Sequence, residues 1–438
     1  MRHLKELIRP FYLKWFYFRW KPENCPRSFL SCWWHPQMPL HSPSLEFEPQ
    51  AGDRPDIVFL PMGDWHTARQ RTQHFASTFA AMGHRCFYLN PHLGREFPTT
   101  YLNSPKTVVS SIEPRVWELH IHLIREPVFH HRCLLPEENR MVAATVERLL
   151  RTANSSNPVL VVSFPLWGEV ATELSEKFGC RIVYDCHDLL AGFGNISADL
   201  IQAEERLMKR SDLVLFSAAK LLESTVEKIP EIGKKSVLVR NGVDVGDFAA
   251  AAVRGERREE ARTIGYVGAL NFWFDTQAVM YAARAHPEWR FLLVGHVGSG
   301  NFDELRDISN VHFLGEVAYA DLPSQLQQMD VGIIPFLKLP LTMATNPIKM
   351  YEYFACGLPV VSTRLPEVEA YDGKVYLADS PEEFCRQLET AMKEDNLLLR
   401  EERIHIARYE SWQMRCRQLG EEIGKLECRA VHGWQESL

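Results

Sequence analysis

The chain has 438 residues, 46% of them hydrophobic, ten cysteines and a formal net charge of −7 at pH 7. That length has room for two α/β domains with sizeable cores, and the acidic balance argues against a general nucleic-acid binder. The cysteines form no C-x-x-C pair, which argues against a disulfide framework or structural zinc motif and suits a reduced cytosol; no secretory signal or long uncharged apolar run occurs, so no transmembrane helix is expected.

Residues 1–50 differ in character from the rest. Leu4, Leu7, Ile8, Phe11 and Trp15 recur at helical spacing, while Arg2, Lys5, Arg9, Lys14, Arg19 and Lys21 make the segment basic, and Pro10 breaks or kinks it. Rings interleaved with cations suit the headgroup zone of an anionic bilayer; the plainer alternative is a segment packed on the first domain. Pro22 to Gln50 reads as a connector.

From Asp56 the pattern is strand, loop, amphipathic helix to about Met82 and a second strand, the opening of a Rossmann-like domain over 51–248. The polar loop at the first strand's carboxyl end nominates Asp64, Arg69 and Arg71 for contact with an acceptor; otherwise they are a solvated loop and helix face. Thr107 to Cys133 is less regular. It carries His120, His122, His130, His131 and Cys133, but their spacing fits no tetrahedral zinc site and no metal site is assigned. Strands and helices then alternate, which implies a parallel sheet. The strand RIVYDCHD delivers Asp185, His187 and Asp188 to a carboxyl edge, where polar side chains tend to be functional; His187 can equally be a satisfied structural histidine. Asn241-Gly242 reads as a tight turn, and the charged stretch 249–262 as a linker.

A second parallel-sheet domain, 263–400, begins at IGYVG and continues through RFLLVG, NVHFLG, DVGIIPF, LPVVST and KVYLA. Its first strand leads to Gly268 and Ala269, small enough for backbone to approach a diphosphate, followed by Asn271, Trp273 and Asp275. The stretch from Asn346 to Thr363 predicts a short helix between two buried strands, with Asn346 capping it and Pro347 in its first turn. That helix start favours an anion, so Asn346, Pro347 and Ile348 become candidates for phosphate contact. Lys349 adds a full positive charge, and Glu352, three residues on, can accept hydrogen bonds from a ribose diol.

The run P-x-K-x-x-E-Y-x-A-x-G-x-P-V-V-S-T resembles the donor-site signature of the family-4 retaining glycosyltransferases. The resemblance spans Asp56 to Leu426 and implies the GT-B fold, two Rossmann-like domains facing across a cleft, with a sugar nucleotide as donor and a glycan or lipid-linked glycan as acceptor. It implies that Glu352 binds the donor ribose, that His187 and Asp188 lie near the donor sugar, and that FLGEV is the loop whose backbone reads the base, which nominates Val317. It also implies that a C-terminal helix from 401, carrying Ser411 and Trp412, returns to the first domain, although Trp412 also reads as core packing. Two departures stand out: the family's E-x7-E pattern has Ala344 in place of its first glutamate, and the Gly268 loop lacks the Arg and Lys that neutralise the diphosphate in many members. Lys349 and backbone N–H groups then carry that charge, and with no Asp-x-Asp motif no metal or other cofactor is expected. The activity implied is transfer with retention at the cytosolic membrane face. The rivals are an inactive GT-B scaffold protein at the membrane or a sugar-nucleotide epimerase.

Deleting residues 1–21 is expected to release the protein from anionic vesicles with its core still folded, since each Lys or Arg near such a surface contributes about 1 kcal/mol. Equal sedimentation of truncated and full-length protein with vesicles would refute this.

Overall fold

The computed structural model describes residues 47–90, 100–101, 107–121, 131–248 and 262–426, apart from Asp53, Thr67 and Asp247. The basic tail, His122, His130, the expected linker apart from Arg262, and residues from 427 onward lie outside these. The described chain divides into two compact units, one ending at Asp185 and resuming at Asn195–Val214 and from Ile423, the other built from Cys186–Gly194 and Leu215–Glu422.

The first sheet contains β1 (Ile57–Leu60), β2 (Cys86–Asn90), β3 (Thr100–Tyr101), β4 (Thr107–Glu113), β5 (Val116–Ile121), β6 (Val159–Val162), β7 (Arg181–Cys186), β8 (Leu213–Phe216) and β9 (Ser236–Leu238). Their order is β3-β4-β5-β2-β1-β6-β7-β8-β9. β1 pairs in parallel with β2 and β6, and every residue of β1 is fully buried, as expected for a strand covered on both faces. The helices α1 (Arg71–Ala81), α2 (Pro136–Thr152), α3 (Gly168–Phe178) and α4 (Ala198–Arg210) alternate with these strands, the first of them ending at Ala81 as expected.

Over 107–121, within the stretch that reads as less regular in the sequence, β4 and β5 form an antiparallel hairpin while β5 runs parallel to β2. Pro114 and Arg115 make the reversal, with Arg115 at φ 62° and its guanidinium tied to Glu48 at 2.8 Å and to the Pro49 carbonyl at 3.1 Å. Remote anchoring of a residue in a disfavoured conformation leaves little local sign in the sequence.

The second sheet is parallel throughout, as expected: β10 (Thr263–Val267), β11 (Arg290–Val294), β12 (Val311–Gly315), β13 (Val331–Ile334), β14 (Val360–Thr363) and β15 (Tyr376–Ala378), ordered β12-β11-β10-β13-β14-β15. The chain winds outward from β10 in one direction and from β13 in the other. Loops leaving the carboxyl ends of these two neighbours therefore splay apart, the usual place for a ligand in such a sheet. The second unit also contains α5 (Ala219–Lys228), α6 (Thr276–Ala285), α7 (Ile348–Ala355) and α8 (Pro381–Glu394). Among the described residues no helix is long and apolar enough to cross a membrane.

The expected single C-terminal helix is two, α9 (Leu397–Tyr409) and α10 (Trp412–Gly424). The break is made by Val243, whose N–H donates to Glu410 O at 3.1 Å and whose carbonyl accepts from Trp412 N at 3.2 Å. Asn241-Gly242 is correspondingly no reversing turn, and neither residue has a positive φ. Glycine is needed there because a Cβ on Gly242 would lie 2.8 Å from Trp412 N and 2.9 Å from Glu410 O, both backbone atoms. From Ile423 the chain belongs to the first unit, where Arg181 Nη1 donates to its carbonyl at 3.1 Å.

Gly242→Ala is expected to destabilise the protein by about 1–3 kcal/mol, the usual penalty for overpacking a fixed site. An unchanged midpoint and slope in urea unfolding would show that the 410–412 backbone can yield.

Candidate active site

The carboxyl end of β10 runs into Gly268, at φ 130°, and an added Cβ there would lie 3.0 Å from Lys349 Cε and 3.2 Å from its Nζ. The lysine of α7 thus lies directly against the loop that the sequence nominates for a diphosphate. Its ammonium rests over the rings of Tyr266 and Phe336, 5.1 and 4.8 Å from their centroids. Gly295, at the end of β11, closes the other flank: a Cβ there would lie 2.0 Å from Gly268 O, so only glycine lets these two strand ends meet. Ala269 is exposed, and its carbonyl accepts from Tyr266 Oη at 2.8 Å.

Glu352, one turn further along α7, is only 6% exposed. Burial raises its pKa to about 7 despite the opposing pull of Lys349, with Asp244 adding to the rise. Burial likewise lowers Lys349 to about 8, opposed by Glu352. Two opposite charges of α7 are therefore held partly desolvated in one place, an arrangement common where a charged ligand is to be bound.

The start of α7 differs from expectation. Pro347 is the N-cap and Ile348 the first helical residue, and Asn346 makes no capping bond. Asn346 is buried; its Oδ1 accepts from Asn241 N at 2.9 Å, its carbonyl from Asn241 Nδ2 at 2.7 Å, and its Nδ2 donates to Tyr351 Oη at 2.9 Å and Glu367 Oε2 at 3.0 Å. These four bonds occupy the Asn346 side chain and carbonyl. Glu367 also accepts from Arg240 Nε at 2.7 Å and from Ala219 N at 2.6 Å. Nothing local marks Glu367 in the sequence, since Arg240 is 127 residues away.

The other nominated residues divide. Asn271 Oδ1 accepts from Phe272 N at 2.9 Å and from the Ser299 hydroxyl, so its side chain holds the glycine-rich loop 298–300. Asp275 caps α6, accepting from Ala278 N at 3.0 Å, which gives its carboxylate a structural task. Val317 is partly buried against the core beyond β12. His187 and Asp188 are half-buried, 3.9 Å apart, with the His187 carbonyl fixed by Ser217 Oγ at 2.7 Å. The segment behind them is held within the second unit: a Cβ on Gly192 would lie 2.9 Å from Leu341 Cβ, and the Phe193 ring meets that of Trp273 at 6.1 Å. Ala344 is buried at the end of the helical turn Pro340–Met343, so no carboxylate stands there.

In the first unit Asp64 accepts from His66 N at 2.7 Å, and Arg69 bonds Ser77 Oγ at 2.8 Å and lies 3.5 Å from Glu113. Arg71 is not a solvated contact residue. It is 3% exposed, its Nε bonds both oxygens of the fully buried Asp185 at 2.9 and 3.1 Å, and its guanidinium covers the Phe75 ring.

Residues 261–394 match the family described as glycosyl transferases group 1. Over that stretch, which runs from just before β10 to the end of α8, the chain is similar to group 1 glycosyltransferases. Of curated relatives, the Bacillus subtilis glycosyltransferase TuaH, assigned to teichuronic acid biosynthesis, is 28% identical over 56% of this chain and 67% of its own. The phosphatidyl-myo-inositol mannosyltransferase of Mycolicibacterium smegmatis is 31% identical over 31% of this chain and 36% of its own. Among solved structures, sucrose-phosphate synthase from Thermosynechococcus elongatus superposes with a TM-score of 0.62 at 15% identity, covering 85% of this chain and 99% of that one. The fold of this glycosyltransferase is accordingly GT-B, two α/β domains each built on its own sheet.

Arg71→Ala is expected to destabilise the glycosyltransferase by about 3–5 kcal/mol, because it strands the Asp185 carboxylate without its partner. Chemical unfolding measures the loss; a change below about 1 kcal/mol, the range of an exposed ion pair, would mean that water reaches Asp185.

Proposed function

We propose that this glycosyltransferase moves a sugar from a sugar nucleotide to a glycan or lipid-linked glycan with retention of configuration, working at the cytosolic face of a membrane to which residues 1–21 attach it. The observation that carries the donor site is the Lys349 ammonium lying against the Gly268 backbone at the diverging ends of β10 and β13. A diphosphate there would meet one full positive charge and the first-turn amides of α7, which lack intrahelical partners. As the glycosidic bond to the leaving nucleotide lengthens, negative charge accumulates on the phosphate, so Lys349 contributes more in the transition state than in the ground state. Charge from Lys349 and the helix start stands in place of a divalent ion in this scheme.

Glu352 would accept both ribose hydroxyls, and Val317 would mark the loop against the base. His187 and Asp188 are the candidates for a sugar hydroxyl. Retention rests on the resemblance of the α7 signature to family-4 enzymes. The cell-envelope setting is supported by the names of the two curated relatives. With Ala344 where that family has a glutamate, a scaffold role is the second reading. Incubation with a panel of sugar nucleotides separates the two: slow donor hydrolysis supports the transferase, binding without turnover the scaffold, and interconversion of donors would overturn both.

The sharper test uses pH. Glu352 binds the ribose as a carboxylate, and its raised pKa of about 7 means that the protonated form gains as pH falls through 7; Lys349, lowered to about 8, loses its charge as pH rises through 8. Thus kcat/KM is expected to be bell-shaped with its maximum between those values, and Glu352→Gln should remove the acid limb. At the maximum this substitution should lower kcat/KM by about ten- to a few hundred-fold, the loss of hydrogen bonds to a charged group, without lowering Tm. Wild-type kinetics in Glu352→Gln with an accepted donor would refute the donor-site assignment.

A further inference from the structure

Three possible metal ligands, Asp64, His66 and Glu118, come together between the loop after β1 and strand β5 in the first unit, with the His120 imidazole beside Glu118. Asp64 and His66 lie on the loop after β1, while Glu118 and His120, two apart on β5, share one face of that strand. One donor atom each from Asp64, His66 and Glu118 lies within 4.8 Å of the others. Both imidazoles approach the same carboxylate oxygen: His66 Nε2 is 3.0 Å and His120 Nε2 2.9 Å from Glu118 Oε2. The other oxygen, Oε1, is taken by Asn90 Nδ2 at 2.6 Å. We propose that Asp64, His66 and Glu118 form a divalent transition-metal site, with zinc as the ion it fits.

The donor set is the His66 imidazole and the carboxylates of Asp64 and Glu118, three ligands that leave a fourth position open, without thiolate and without a carbonyl cage, which suits zinc over calcium, magnesium or cuprous ion. Ligand bonds of about 2.0–2.1 Å place neighbouring ligand atoms of a tetrahedral ion roughly 3.3–3.4 Å apart; His66 Nε2 and Glu118 Oε2, at 3.0 Å, are a few tenths of an ångström short of that, and an Asp64 oxygen lies within 4.8 Å of both. The outer partners are also in place. Asn90 fixes the plane of Glu118 and directs Oε2 inward, the His66 N–H orients Asp64, and Tyr88 Oη donates to Gly63 O at 2.8 Å and so holds the loop that carries both. Glu118 is fully buried, where a carboxylate needs a cation or strong donors. The ion would pin the loop after β1 to β5 and takes no part in the donor chemistry proposed above.

The test is zinc chloride added to EDTA-stripped, full-length protein in competition with a chromophoric chelator, with cobalt(II) absorption as a second readout. Wild type is expected to bind one zinc at this site, gain tetrahedral cobalt bands and melt at a higher temperature with zinc present. His66→Gln and Asp64→Asn, both on the loop, should retain the fold and lose that shift, and Asn90→Ala should weaken zinc by about ten- to a hundredfold as an outer partner. Absence of zinc binding above the buffer blank would overturn the proposal. So would equal zinc affinity in wild type and His66→Gln, which would assign the ion to another cluster such as His286, Cys385 and Glu389.

Discussion

The Glu367 carboxylate is the interaction on which the arrangement of the second unit depends most. One of its oxygens receives the first amide of α5, from Ala219, and the other receives both Arg240 and Asn346. Asn346 in turn holds Asn241, whose carbonyl accepts from Arg415 Nε at 3.0 Å. The start of α5, the start of α7, the strand-like segment at 241–243 and the helix α10 are thus joined through one buried carboxylate. Such a network stabilises only when complete, because each member left unpaired keeps its desolvation cost. The position of Lys349 is therefore set by residues far from it in sequence.

Glycine acts in the same region through absence of bulk. Gly295 brings β11's end onto the Gly268 carbonyl, and Gly268 leaves room for the lysine; in both cases the φ is in the region that side chains rarely adopt. Gly242 does comparable work with an ordinary φ, since what it admits is the 410–412 backbone. Close approach and permissive dihedrals are separate reasons for glycine, and only a structure distinguishes them.

Periodicity made much of the fold legible. All six strands of the second sheet, α7 and the Lys349–Glu352 spacing could be read locally, because burial alternation and helical recurrence are properties of a few consecutive residues. What remained hidden are pairings over distance. Arg71 meets Asp185 across 114 residues, Asn346 meets Asn241 across 105, and His66 meets Glu118 across 52. Each of these turns a side chain that looks available in the sequence into one already committed. The hairpin at 107–121 and the break between α9 and α10 were missed for the same cause, since Arg115 and Val243 are anchored by remote partners.

The shifted lysine and glutamate of α7 make donor capture a matter of proton exchange. A diphosphate beside Lys349 would draw its pKa back up, so proteins carrying the neutral amine take up a proton on binding. Ribose hydroxyls donating to Glu352 would draw its pKa down, so proteins carrying the neutral acid release one. Between pH 7 and 8 the two movements oppose each other, and the net number of protons exchanged with the buffer is small even though both groups change state. A calorimeter would then record nearly the same binding heat in phosphate and in Tris, and removal of either side chain would unmask the other's proton.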